Sequence, residues 1–464
     1  MPQPSPASLL GAALLCVLLA STSALAETPD PPPEATIEAQ LWDTYFGERE
    51  GGDPDAALAT AGELERLTLK LHGPTSDEYG IALAELGISR LLSGDHDAAF
   101  ADLKAAEVIL KDELPIYSEK LIRALTFLAS ALQSRGRLEE ALDAYTRAQH
   151  ITHRLWGTGN TTQIPIAYAK ADTLQALGRI VDAEHQYGVA WKLNRSAYGA
   201  TSSQAIEAAA RYGTWLRAMG EYDGAIALFH EALTEVQGDG PDKPAALPLL
   251  RGMAHAYRGG YRGKFARGMF RRIVRLMERE PQAFSVDQRI EARLAFGDWL
   301  MQRYFERDAV AQYEAAYADA VNAGPDGAHW LPEFEAPQLV RYGEMAPKDI
   351  GGEGRFVTFE FRVTDDGRIR NAKVVDTGAG SRDSSRARKQ FPELSRFRPA
   401  IVDGKAQGLK SMTTTMYLLP DGVALEPEPV AAPARLTTRN AVVSSNWTML
   451  RGDEVMTVDV GDGN

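Results

Sequence analysis

One spacing governs what this chain can fold into. Gly52, Gly94, Gly136, Gly178 and Gly220 each stand 42 residues after the one before. Ala57, Ala99, Ala141, Ala183 and Ala225 follow them, five residues later each time. Ala106, Ala148, Ala190 and Ala232 keep the same phase, with Leu64 at that place in the first copy. A fixed period of this length excludes a single globular core. It implies a stack of supersecondary units, each burying its apolar face on its neighbours. Stacks of this kind mostly present binding surfaces, so the period biases the function as well as the fold.

Within the Gly94 copy the apolar and small residues recur at helical intervals. A first helix over 77–92 carries Leu83, Leu86 and Gly87, and a second over 97–110 carries Ala99, Leu103 and Ala106. This is the stripe of an amphipathic helix. Alanine and glycine on that stripe let two helix axes approach to about 8–10 Å. Gly94 suits the turn between the helices, where a positive φ costs a glycine little. Later copies add an aromatic residue to the second helix, namely Tyr145, Tyr187 and Phe229. Beyond the fifth copy the steps become 41 and then 43 residues: Met253-Ala254 with Ala266 and Phe270, then Phe296-Gly297 with Ala309, Tyr313 and Ala316. Seven hairpins over 36–325 are predicted, with Tyr45 in the first where later copies have Gly or Ala.

The periodicity then switches. Gly and Pro mark a linker over 326–334. Phe356-Val-Thr-Phe359-Glu-Phe361-Arg-Val363 alternates like a strand, and Asp365-Asp-Gly367 reads as a hairpin turn. A second strand is predicted over 369–375, a polar helix over 381–390 with Ser381 as its N-cap, and a Thr-rich strand over 411–419. Residues 421–464 open with a Pro-rich spacer and are read as a flexible tail.

The termini and the charge bound the function. The first 26 residues carry no charged side chain, and a 12-residue apolar run from Leu9 to Ala20 precedes Ala24-Leu25-Ala26. This predicts a signal peptide over 1–26, cleaved near Ala26 and followed by a Pro-rich lead-in over 27–35, which places the chain in a periplasm. The alternative is a retained inner-membrane anchor with the chain facing the periplasm. Cys16 is the only cysteine and lies in that leader. The mature chain would then have no disulfide, no thiolate metal site and no catalytic cysteine. A net charge of −13 argues against nucleic acid as a partner.

Two resemblances sharpen the picture. Leu86-Gly87 in the first helix, Gly220-Glu-Tyr222 at a turn, then Ala225, Phe229 and Ala232 resemble the tetratricopeptide repeat. The usual unit has about 34 residues; the 42-residue period resembles the longer repeats of kinesin light chains. The fold implied is an α-helical superhelix. Gly354-Arg-Phe-Val-Thr-Phe-Glu-Phe-Arg-Val-Thr-Asp-Asp-Gly-Arg-Ile, then Val374-Val375, Arg396-Phe397-Arg-Pro399-Ala400 and Asp403-Gly404 resemble the C-terminal domain of TonB energy transducers. Tyr342-Gly-Glu-Met-Ala346 resembles that family's upstream element, with Gly343 replacing proline. The resemblance covers 335–420 and implies a small α+β domain. Phe391-Pro-Glu-Leu-Ser departs from the family, which usually continues its helix there.

The candidate sites follow from these elements. The inner groove of a tetratricopeptide array is lined by the first helices, which place Thr126, Ser130, Gln133, Tyr168, Asp172, Gln175, Thr214 and Arg217 there. Such a polar lining suits an extended peptide or a helix. The TonB resemblance implies strand addition along Ser411, Met412, Thr413, Thr414, Thr415, Met416 and Tyr417. The partners implied are proteins or peptides, including an outer-membrane protein or envelope complex. His150 and His153 have a spacing that could hold a metal, but nothing completes a motif. No nucleophile, phosphate-loop or metalloprotease signature is present. The expectation is therefore a non-enzymatic scaffold with no cofactor, no metal and no small-molecule substrate. The alternative is a membrane-anchored TonB-type transducer for outer-membrane transport. Eight basic residues between Arg251 and Arg275 make the sixth hairpin either an anionic dock or a face paired with acidic neighbours. Residues 354–420 hold 13 Lys/Arg against 7 Asp/Glu, an excess of 6, so the rest of the chain carries −19.

Overall fold

The computed structural model describes residues 33–341 except 239, then 345–346, 355–418, 449–451 and 454–456. The predicted leader, nearly all of the lead-in, Tyr342 to Glu344 and most of the tail lie outside the described residues.

Fourteen helices make seven antiparallel hairpins, forming a tetratricopeptide-like solenoid. They are α1 (Pro33–Glu50) with α2 (Pro54–His72), α3 (Asp77–Leu92) with α4 (His96–Glu113), α5 (Glu119–Ser134) with α6 (Leu138–Trp156), and α7 (Gln163–Ala176) with α8 (Ile180–Tyr198). Then come α9 (Ser203–Ala218) with α10 (Tyr222–Gln237), α11 (Leu247–Gly259) with α12 (Gly263–Arg279), and α13 (Val286–Gln302) with α14 (Glu306–Asn322). Serine caps several first helices: Ser76, Ser202 and Ser285 accept the backbone N–H three residues on, and Ser285 with Gln288 completes a capping box. The repeated Ala99, Ala141, Ala183, Ala225, Ala266 and Ala309 are fully buried, where the two helices of each hairpin cross.

All seven turns share one hydrogen bond, which closes each first helix from the residue after the turn. Asp53 N–H donates to Glu48 O, Asp95 to Arg90 O, Arg137 to Leu132 O, Arg179 to Leu174 O, Glu221 to Leu216 O, Arg262 to Tyr257 O and Phe305 to Leu300 O. The residue before that donor is left-handed every time. The five turn glycines have φ between 73° and 89°, while the sixth and seventh turns use Tyr261 (φ 58°) and Tyr304 (φ 62°). The glycine marker therefore fades after Gly220, although the turn geometry persists.

The stretch predicted as a linker is packed chain. Gly324–Trp330 is a 3-10 helix and α15 spans Pro332–Glu335. Trp330 and Phe334 are buried, and Trp330 Nε1 donates to Asp287 at 2.6 Å. Next come β1 (Gln338–Arg341), β2 (Met345–Ala346), β3 (Phe356–Val363), β4 (Ile369–Thr377), α16 (Ser381–Leu394), β5 (Arg396–Arg398), β6 (Ala400–Val402), β7 (Lys405–Gln407) and β8 (Leu409–Leu418). The main sheet is antiparallel in the order β2-β8-β3-β4. β1 pairs with β5, and β6 with β7. One face of the sheet buries Val357, Phe359, Phe361 and Met416 beneath α16, whose Phe391 ring stacks on Phe359 at 4.2 Å. Helix α16 is longer than predicted and runs through Pro392 to Leu394, so the Phe391-Pro segment does not end it. Its N-cap is Gly380; Ser381 is the first helical residue. Within the predicted tail the described residues form one short hairpin, β9 (Met449–Arg451) with β10 (Glu454–Met456), which the sequence does not announce.

Candidate partner-binding surface

Each turn residue indexes its first helix. Six residues before the left-handed position lie Ser130, Asp172, Thr214, His255 and Asp298, a column running along five consecutive first helices. Three residues before it lie Gln133, Gln175, Arg217 and Arg258. Ten residues before it lie Thr126, Tyr168 and Arg251. The candidates from Ser130 to Arg217 thus belong to a series of positions that continues into hairpin six. Counting from glycines stops at Gly220 and misses Arg251, His255 and Arg258; counting from Tyr261 would have found them.

Several of the candidates are held by contacts within their own hairpin or to the next one. Asp172 accepts from Tyr187 Oη at 2.6 Å and from Arg211 Nη2 of the next hairpin at 3.5 Å. The Arg211 guanidinium lies 3.8 Å over the Tyr168 ring. Gln175 accepts from Trp215 Nε1 at 2.7 Å, and Gln133 from Tyr145 Oη at 3.4 Å. Thr126 is a correction. It is 2% exposed and its hydroxyl donates to Ile122 O, so it offers nothing to a partner.

Thr214 and Arg217 do line a hollow, of about 610 Å³. They share it with Arg251 and His255 of α11, Gln288 of α13, the apolar Leu247 and Pro248 in the first turn of α11, and Pro244 and Phe284 from the connections between hairpins. The hollow thus carries Arg217 and Arg251, the latter paired with Glu291 at 3.1 Å, beside an apolar patch around the start of α11 and Phe284. Such a lining fits a peptide segment carrying an acidic side chain beside an apolar one.

His255 responds to this surrounding. Burial, then the charges of Arg217, Arg258 and Arg251, push its imidazole down to about 3 from 6.5. The folded chain therefore keeps His255 neutral where the unfolded chain takes up a proton. The stability this contributes is complete above about pH 6.5 and is lost as pH falls toward 3. Chemical denaturation at a series of pH values should show stability falling across that window by up to about 1.4 kcal/mol per pH unit from this group. His255→Gln should remove that part of the slope. An unchanged slope in the variant would contradict the assignment.

The strand candidates divide by face. Met416 is fully buried and Met412 packs on the sheet core, so neither faces a partner. Ser411, Thr413 and Thr415 lie on the opposite face, where Thr415 bonds Thr358 across the sheet at 2.9 Å. β8 is also not a plain edge strand. β2 covers Tyr417 and Leu418, which leaves the outer edge open from Leu409 to Met416 among the described residues.

Other constellations resolve as structural. His153 Nε2 bonds Gln163 Oε1, and His150 packs its ring 5.8 Å from Tyr117. No group of three or more His, Cys, Asp or Glu among the described residues could hold a metal ion. In the basic hairpin, Arg251 pairs with Glu291, Arg262 with Asp223, Arg267 with Asp308 and Arg272 with Asp242. At least four of the eight thus take acidic neighbours, which favours the paired-face reading. No helix among the described residues is long and apolar enough to cross a membrane.

No family model matches the sequence, and no curated protein matches it. Solved structures give partial likenesses. A Podosopora anserina protein described as kinesin light chain with nearly identical TPR-like repeats is 13% identical. The match covers 44% of this chain and 95% of that one, with a TM-score of 0.39. A tetratricopeptide repeat protein from Parabacteroides merdae ATCC 43184 is 16% identical over 61% of this chain and 93% of its own, with a TM-score of 0.36. The apo form of RapI is 12% identical over 62% and 78%, with a TM-score of 0.45. At these scores the likeness carries no argument, and the repeat fold rests on the seven hairpins and their shared turn.

Proposed function

We propose that this chain is a non-enzymatic scaffold that binds protein or peptide partners at two places. The observation that carries the proposal is the hollow between α9, α11 and α13, with its arginine side and its proline and phenylalanine side. The second place is the open edge of β8. If the domain is of the TonB C-terminal type, an extended segment adds there as a further strand, with main-chain hydrogen bonds giving affinity and alternate side chains specificity. The leader-like N-terminus supports export to the periplasm, and the partner class that fits is an outer-membrane protein or an envelope complex.

Photo-crosslinking in envelope preparations tests both places. A photoreactive residue at Thr214 or at Thr413 should yield discrete adducts with a partner. One at Glu139, exposed on the second helix of hairpin three, should not. An equal yield at Glu139, or none at Thr214 and Thr413, would overturn the proposal.

A further inference from the structure

Asp298 and Tyr313 stand 126 residues, three 42-residue periods, after Asp172 and Tyr187. They repeat the same bond: Tyr313 Oη donates to Asp298 Oδ1 at 2.8 Å, as Tyr187 Oη does to Asp172 at 2.6 Å. In hairpin four the third member is Arg211, supplied by the first helix of the following hairpin. Hairpin seven has no following hairpin among the described residues. Its third member is Arg398 on β5, whose Nη2 donates to Asp298 Oδ2 at 2.9 Å with the guanidinium 5.3 Å from the Tyr313 ring centre. The side chains of Arg398 and Asp298 are 1% and 4% exposed, against 35% and 40% for Arg211 and Asp172. The arrangement at the end of the array is thus buried more completely than the internal one.

The surrounding contacts have the same sense. Glu306 accepts from Arg368 Nε at 3.1 Å and from Arg396 Nε at 3.2 Å. Gln302 donates to Val340 O at 3.0 Å, while Arg341 Nη1 donates back to Gln302 O at 2.5 Å. Glu314 accepts from the Ala406 N–H at 3.0 Å and from Lys405 Nζ at 3.2 Å. The left-handed Tyr304 receives Arg341 and Arg396 on its ring, at 4.7 and 4.6 Å. The carboxylates come from hairpin seven and the cations from the smaller domain, which locates part of the charge asymmetry between the two halves.

We infer that the C-terminal domain occupies the place of an eighth repeat and closes the array, with Arg398 doing for hairpin seven what Arg211 does for hairpin four. The end face of hairpin seven is then a repeat-type interaction surface whose partner is this chain's own β5 strand. An array needs closure because its last unit has no neighbour on one side. Two domains that merely touch would behave differently. Losing the contact would free the smaller domain but leave α13 and α14 as they were.

Hydrogen exchange of the full-length chain separates the cases. Arg398→Leu should speed amide exchange in α13 and α14 by at least about tenfold, with the effect fading by α11. Arg211→Leu, at a junction flanked by repeats on both sides, should change its neighbours far less. Should Arg398→Leu fold poorly, the milder set Asp298→Asn, Arg398→Gln and their double variant serves instead. The two single effects should then fail to add. Unchanged exchange in α13 and α14, or additive single effects, would overturn the inference.

Discussion

Gly213→Ala is expected to destabilise the middle of the array by about 3 kcal/mol, the upper end of what over-packing a core costs. A methyl group at Gly213 would stand 2.3 Å from Cζ of Phe229. One at Gly252 would stand 2.3 Å from the same atom. The fully buried Phe229 ring is therefore held between α9 of its own hairpin and α11 of the next, with no side to which it can move. Gly252→Ala should behave alike. Denaturant midpoints measure both, and an unchanged slope would show that stability alone has changed. Phe229→Leu in the Gly213→Ala background should recover part of the loss, because the shorter side chain withdraws from the clash. A loss below about 1 kcal/mol in both single variants would show that the helices separate more easily than this contact implies.

Glu85→Ala should cost about 3–5 kcal/mol, the loss found when one partner of a buried ion pair is removed. Glu85 accepts from Tyr45 Oη at 2.8 Å on α1, from Arg49 Nη1 at 3.2 Å on α1, and from Arg123 Nη2 at 2.8 Å on α5. One carboxylate thus joins the first three hairpins. Burial alone would raise its pKa, but the charges of Arg123 and Arg49 outweigh burial and hold it below the ordinary carboxyl value of 4.5. Its contribution is therefore present above about pH 4.5 and fades as the pH falls further. Thermal unfolding of the variant should show a lowered first transition and a weaker acid dependence. Glu85→Leu combined with Arg123→Met should restore part of the loss, since the buried Arg123 charge goes together with its partner, while Arg49, 18% exposed, still loses this carboxylate. If Glu85→Ala were neutral, the network would be decoration on an array held by its alanines.

The array was legible because its units are local. A glycine turn, a buried alanine and an aromatic residue at fixed intervals each report a contact within one hairpin or with the next. The contacts between the array and the smaller domain were not legible, because they join residues as far apart as Asp298 and Arg398. The sequence showed the opposite charges of the two parts but not which side chains meet. The groove was half legible. The aligned glycines led to Thr214 and Arg217, but Tyr261 in place of the next glycine concealed Arg251 and His255. Thr126 was misplaced because a polar residue on a helix can turn its hydroxyl back onto its own backbone. In β8 the alternation identified the strand. Only the sheet order shows that β2 covers its last residues.

The buried Arg398–Asp298 contact also fixes how far the hollow on α9 and α11 lies from the outer edge of β8. If both proposed places take the same partner, a partner long enough to reach both makes its second contact while tethered by the first. Its second contact forms at an effective concentration set by that fixed separation and by the partner's own linker, not by how much partner is free in solution. Short fragments of such a partner would then bind weakly at either place, while the intact partner binds tightly.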